Sequence, residues 1–131
     1  VNGVFASSKI YEDDIILAFM DIFPVNMGHV LIIPKKHVEM ISDVEDSTLG
    51  KMFAIAGKIN TAIRKSGVKV EGINYFLADG EVAGQEVFHT HLHVFPRFKK
   101  DGFGLVFPEG YKNEIERNEL DLIALKIKSA L

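Results

Sequence analysis

The sequence predicts an α+β protein, an about five-stranded, mainly antiparallel sheet that carries one long helix and a C-terminal helix. Three observations lead there. A hairpin pattern opens the chain, one long stretch repeats its apolar residues every three or four positions, and two later runs rich in β-branched and aromatic residues flank a glycine-containing loop. The 131 residues are near the commonest size for one domain, so residues 1–131 are expected to enclose a single core. Because the chain opens on Val1 and not Met, it is expected to lack a short N-terminal segment.

"KIYEDDIILAFMDI" reads as two extended runs, Lys9 to Tyr11 and Ile15 to Ile22, joined by the turn formers Glu12, Asp13 and Asp14. "FPVNMGH" is a loop with Pro24, Asn26 and Gly28. "HVLIIP" is a third strand that Pro34 stops, because proline cannot donate to a ladder. From Asp46 to Ser66 the residues Leu49, Met52, Phe53, Ala56, Ile59 and Ile63 form one helical face, and Gly67 follows as a C-cap. "GINYFLA", residues 72–78, is the fourth strand. The loop "DGEVAGQE" leads into "VFHTHLHVFPRF", Val87 to Phe98, a fifth strand closed by Pro96. After two polar turns, Leu120, Ile123, Ala124, Ile127 and Leu131 mark the terminal helix.

Composition narrows the function. Hydrophobic residues make up 47% and charged residues 25%, with a mean hydropathy of +0.14, which fits a compact soluble protein. A formal net charge of -3 excludes a global basic field for nucleic acid, so any phosphate must be bound locally. No apolar run approaches the ~20 residues of a membrane span, and no signal-peptide pattern opens the chain. A cytoplasmic protein that engages neither nucleic acid nor membrane is expected. The absence of cysteine removes disulfides and thiolate metal sites.

His89, His91 and His93 alternate within an apolar run, which in a strand puts all three on one face, roughly 6 to 7 Å apart, with Thr90, Leu92 and Val94 turned to the core. Burying each imidazole costs a hydrogen-bond partner, and packing gives no reason for the pattern. A metal site is one reading, since neutral imidazole is a common ligand. The three are too spread to converge easily on one ion, and no carboxylate follows until Asp101, although His29 offers a further imidazole. The other reading is covalent catalysis, one imidazole attacking phosphorus while its neighbours polarise oxygens and move protons. Adjacent like charges would help keep the middle ring neutral near pH 7.

"HTHLHVF" resembles the His-x-His-x-His-x-x signature of the histidine triad (HIT) hydrolases, which cleave nucleotidyl groups from amines or polyphosphates. "KIYEDD", "AFMDIFPVNMGHVLIIPKKHV" and "AGQEVFHTHLHVFPR" resemble the family's blocks in order, and "VNGVFASSKIYEDD" looks like the end of its opening segment. The resemblance implies a HIT-like fold, a purine nucleotide substrate, no obligatory cofactor or metal, and a homodimer with the long helix and the fourth strand at its interface. It implies His91 as nucleophile, His93 near the phosphate oxygens, His89 holding the nucleophile, and His29 beside the triad. Asp21 matches the ribose acceptor, Gln85 the α-phosphate contact, and Phe19, Ile22 and Leu31 the base slot. Read as residues alone, those three apolar side chains are equally ordinary core and Asp21 equally a turn cap before Pro24. His37 is read as structural, and Lys35, Lys36, Arg97, Lys99 and Lys100 as solvated loop charges. Two positions depart from the pattern: Ala78 stands where Asn or Gln is usual, and Glu86 where Ser or Thr helps the leaving group. The expected activity is hydrolysis of nucleoside phosphoramidates or dinucleoside polyphosphates through a nucleotidyl-His91 intermediate. The alternatives are a catalytically weak nucleotide-binding module, which the two departures would favour, and a metal-binding protein.

Overall fold

The computed structural model describes residues 8–131, so the resemblance that rests on residues 1–7 lies outside the described residues. Five strands form one antiparallel sheet: β1 (Lys9–Glu12), β2 (Ile16–Met20), β3 (Val30–Pro34), β4 (Gly72–Phe76) and β5 (Leu92–Arg97), in the order β1-β2-β3-β5-β4. Two helices complete it, α1 (Asp46–Lys65) and α2 (Arg117–Ala130). The α+β class and the mainly antiparallel sheet are as the sequence predicts. No helix among the described residues is long and apolar enough to cross a membrane.

Alternation along the strands gives the sheet two faces. One meets α1: Ile16, Ala18, Val30, Ile32, Leu92 and Val94 pack with Met52, Ile55, Ala56, Ile59 and Ile63 of the helix. The predicted helical face is corrected at two places, because Phe53 is half exposed while Ile55 is buried. α1 starts at Asp46, an acidic residue suited to the positive end of the helix dipole. Ser66 is its C-cap and Gly67, at φ 88°, takes the left-handed turn beyond it. On the other face, cross-strand pairing makes a row of Phe19, Leu31, His93 and Phe76.

Pro96 does not close β5; it pairs with Ile73 inside the strand, and Arg97 ends it. The pairing with β3 stops at Val94, so the missing N–H of Pro96 falls past the end of that ladder. α2 forms where its apolar spacing predicts, yet none of its residues is buried.

Candidate active site

The site begins at a turn that only glycine accommodates. Gly28 has φ 104°, and a Cβ there would lie 2.9 Å from Val68 Cγ1 and 3.1 Å from Pro96 Cγ. This turn delivers His29 to the head of β3, where its carbonyl accepts the Asp21 N–H at 2.9 Å. Asp21 caps the turn with Oδ1, which accepts the Phe23 N–H at 2.9 Å, and its Oδ2 stands 3.5 Å from His29 Nε2 and 4.0 Å from His93 Nδ1. The turn-cap reading of Asp21 is therefore seen directly, and its second oxygen faces the two imidazoles.

The triad does not lie wholly on a strand, which corrects the expectation of three imidazoles in regular alternation. β5 begins only at Leu92; His89 and His91 precede it in a bent segment. The reason is local: the Thr90 N–H donates to the Val38 carbonyl at 2.7 Å, outside the β3–β5 ladder, and His91 Nδ1 folds back onto the His89 carbonyl at 2.7 Å. His89 is buried and turned to the Pro34 carbonyl, its Nε2 2.7 Å away. His91 and His93 remain neighbours with ring centroids 4.9 Å apart, and Thr90, Leu92 and Val94 face the core as expected.

Hydrogen-bond accounting fixes the tautomers, because a carbonyl only accepts and a backbone N–H only donates. His91 donates from Nδ1 to the His89 carbonyl, so its neutral ring carries the free lone pair on Nε2. His29 Nδ1 accepts the Val25 N–H at 2.9 Å, so its proton is on Nε2, 2.9 Å from His93 Nδ1. His93 accepts there and keeps its proton on Nε2. Burial, followed by the charges of His91 and His29, lowers the pKa of His93 to about 4, and burial lowers those of His29 and His89. His29, His89 and His93 are thus favoured in their neutral forms and held in fixed orientations.

Asp21, His29 and His93 also bring three ligand atoms within 4.8 Å of one another, the spacing of a metal site. Their tautomers do not suit one. A neutral imidazole ligates through its unprotonated nitrogen, and in His29 that atom already faces the Val25 N–H. Within this set the hydrogen bond is the one from His29 Nε2–H to His93 Nδ1 at 2.9 Å, with the Asp21 carboxylate 3.5 Å and 4.0 Å from those two atoms.

A cavity of about 460 Å³ opens over the outer sheet face, lined by Asp21, His29, His91 and His93, by Leu31, Phe23, Val25, Phe76, Val87, Phe95 and Phe103, and by Gly84 and Glu86. Its volume suits a small ligand. Of the expected base slot only Leu31 lines it; Phe19 sits beside Leu31 in the cross-strand row, and Ile22 is 68% exposed outside. Gln85 is not in the cavity. It is 1% exposed, its Oε1 accepting the Gly80 N–H and its Nε2 donating to the Glu39 carbonyl, both at 2.8 Å. An amide spent on two backbone groups staples the loop and has little left for a phosphate. Ala78 is buried beneath Gly84, and Glu86 is exposed at the wall. No lysine or arginine among the described residues lines the cavity: Lys35 pairs with Glu12 at 2.7 Å, and Arg97 with Asp101 at 2.7 Å.

Phe95 and Phe103 are the notable additions. Phe95 shares the parity of His91 and His93, a signal the alternation already contained. Phe103 carries no such signal. It is brought back by Arg97, which donates to both Asp101 oxygens and to the Phe103 carbonyl and lies over the Phe103 ring, while Asn26 anchors Asp101 from the other side.

A family model described as the HIT domain matches residues 2–100. An uncharacterized HIT-like protein of Borreliella burgdorferi is 42% identical over 128 residues, 97% of this chain and 91% of that protein. A crystal structure of a HIT family member from Bacillus subtilis superposes with a TM-score of 0.88 at 39% identity, covering 98% of this chain and 91% of that one. The adenylylsulfatase HINT3 of Arabidopsis thaliana is 36% identical over 101 residues, 77% of this chain and 51% of that protein.

Proposed function

The chain belongs to the histidine triad (HIT) family, whose fold is that of nucleotide-binding hydrolases, and from that premise we propose that it hydrolyses a purine nucleotide through a covalent nucleotidyl-His91 intermediate. The observation that supports this most is the 2.7 Å bond from His91 Nδ1–H to the His89 carbonyl, which leaves the lone pair on Nε2 of a ring lining the cavity. His91 Nε2 attacks the α-phosphorus, and the bond to an amine or a phosphate breaks with its electron pair, a proton from solvent going to the leaving group. Water then attacks the same phosphorus, gives its proton up to solvent, frees the nucleotide and returns the electron pair to Nε2. His93 donates its Nε2–H to a phosphate oxygen, and no metal is required for that stabilisation.

A run of rings supports one orientation of the nucleotide. His91, His93, His29, Phe95 and Phe103 follow one another at centroid spacings of 4.9, 5.1, 4.8 and 5.4 Å, with Asp21 beside the middle of the run. The α-phosphate lies at the His91 end, the ribose hydroxyls meet the Asp21 carboxylate, and the base lies by Leu31 and stacks at the Phe95–Phe103 end. The working unit is a homodimer, supported by exposed Phe53 on α1 and exposed Tyr75 on β4, the elements that the family resemblance puts at an interface.

The test is intact-mass analysis of acid-quenched mixtures with adenosine 5′-phosphoramidate, diadenosine polyphosphate and adenylylsulfate. A nucleotidyl adduct mapping to His91, lost with turnover by about 10³-fold or more in His91→Ala, is the expected result. Bound AMP with neither adduct nor product points to the second reading, a catalytically weak nucleotide-binding module, which Glu86 at the cavity wall and Ala78 beneath Gly84 favour.

A further inference from the structure

Three consecutive residues after β3 grip the segment that carries the histidines. The Glu39 carbonyl accepts from Gln85 Nε2 at 2.8 Å, the Val38 carbonyl accepts the Thr90 N–H at 2.7 Å, and His37 Nδ1 lies 3.3 Å from His89 Nδ1 with the two rings edge to face. The first two use backbone acceptors that any residue supplies. The third depends on the side chain of His37.

Its direction is forced. His89 spends its Nε2–H on the Pro34 carbonyl at 2.7 Å, so the neutral ring offers a lone pair at Nδ1, and His37 must donate to it from its own Nδ1. Both the Nδ1–H tautomer and the imidazolium form of His37 can do this. His89 is then held at both nitrogens, and its carbonyl is the acceptor of the His91 Nδ1–H.

We infer that His37 is a positioning residue for nucleotidyl transfer: its Nδ1–H pins the His89 ring, which fixes the His89 carbonyl and so keeps the lone pair of His91 on Nε2. This rests on His91 being the nucleophile. Without the donor, the buried His89 Nδ1 lone pair is left unpaired and the ring is held only by its Nε2–H bond to the Pro34 carbonyl. The backbone acceptor of His91 loosens, and His91 populates the Nε2–H tautomer, which has no lone pair to offer phosphorus. His37 itself stays outside the cavity lining, so substrate affinity is untouched.

The first measurement is imidazole ¹⁵N–¹H correlation on the wild-type protein near neutral pH. It should show His89 protonated on Nε2 and both His37 and His91 on Nδ1; a His89 ring protonated on Nδ1 overturns the inference without any variant. The second is single-turnover reaction with adenosine 5′-phosphoramidate. His37→Phe, which keeps a ring and removes the donor, should slow nucleotidylation about tenfold with KM changed less than about twofold, and should shift His91 toward Nε2–H. His37→Asn, whose side-chain amide nitrogen can stand in for Nδ1–H, should recover most of that rate. A His37→Phe variant that folds and reacts at the wild-type rate, or a loss not recovered by Asn in a folded protein, refutes the role. No adduct in wild type with the expected tautomers intact refutes the catalytic reading of His91 instead.

Discussion

Glu86 and Asp21 put two carboxylates into a cavity with no lysine or arginine in its lining, and that charge bears on which leaving group the site accepts. At an effective dielectric near 20, like charges several ångströms apart repel by about 2 kcal/mol before salt screening. Glu86→Gln should therefore raise kcat/KM for adenylylsulfate, which expels an anion, by about tenfold, and change that for adenosine phosphoramidate by less than about threefold. Equal effects on both substrates would show that Glu86 does not face the leaving group. Thr90 supplies a test of a different kind. Its buried Oγ1 has no hydrogen-bond partner among the described residues, so Thr90→Val should leave stability unchanged or raise it by about 1 kcal/mol in urea titrations. The histidines also set a pH dependence. His93, His29 and His89 have folded pKa values below their unfolded ones, so the unfolded chain binds more protons as pH falls below 6.5. Stability is fully present above 6.5 and is lost as pH falls through about 4, by up to about 3 kcal/mol for His93. His93→Gln should flatten that loss in denaturation curves taken across the window.

At the scale of elements, α1 and the β2–β3 turn hold the site from opposite sides of the sheet. Met52 is fully buried under β2, β3 and β5, and Met52→Ala should cost about 2 to 5 kcal/mol by the cavity it leaves. Gly28→Ala would force a positive φ on a residue with a Cβ and crowd Val68 and Pro96. It should cost about 2 kcal/mol and weaken nucleotide binding, since the same turn sets His29 against Asp21 and His93. Loss of stability with unchanged AMP affinity by calorimetry would separate the turn from the site. The strands and α1 were legible from local signals: short apolar runs bounded by turn formers in β2 and β3, alternation through His91, His93 and Phe95 into β5, and helical steps from Leu49 to Ile63. The point where β5 begins was not legible. A bond from Thr90 to Val38, more than fifty residues away, takes that segment off the ladder.

For the molecule as a whole, the homodimer that the family resemblance implies would cover exposed Phe53 on α1 and Tyr75 on β4. Light scattering should give a mass of two chains, and Phe53→Glu, on the face of α1 away from the core, should give one chain with its secondary structure kept. The class of fold and the order of its elements follow from the sequence, since periodicity is a local property of the chain, while the placing of His29 beside the triad came from the family resemblance. Only the tertiary structure decided which nitrogen of each imidazole carries its proton, that Gln85 is a staple, and that Phe103 enters the cavity. Those outcomes depend on partners distant in sequence: the Pro34 carbonyl and His37 for His89, the Glu39 carbonyl for Gln85, and Asn26 on the Asp101 that holds Phe103 through Arg97. A hydrogen-bond donor's direction is set by whichever acceptor the folded chain brings within 3 Å, and no local pattern of residues encodes that meeting.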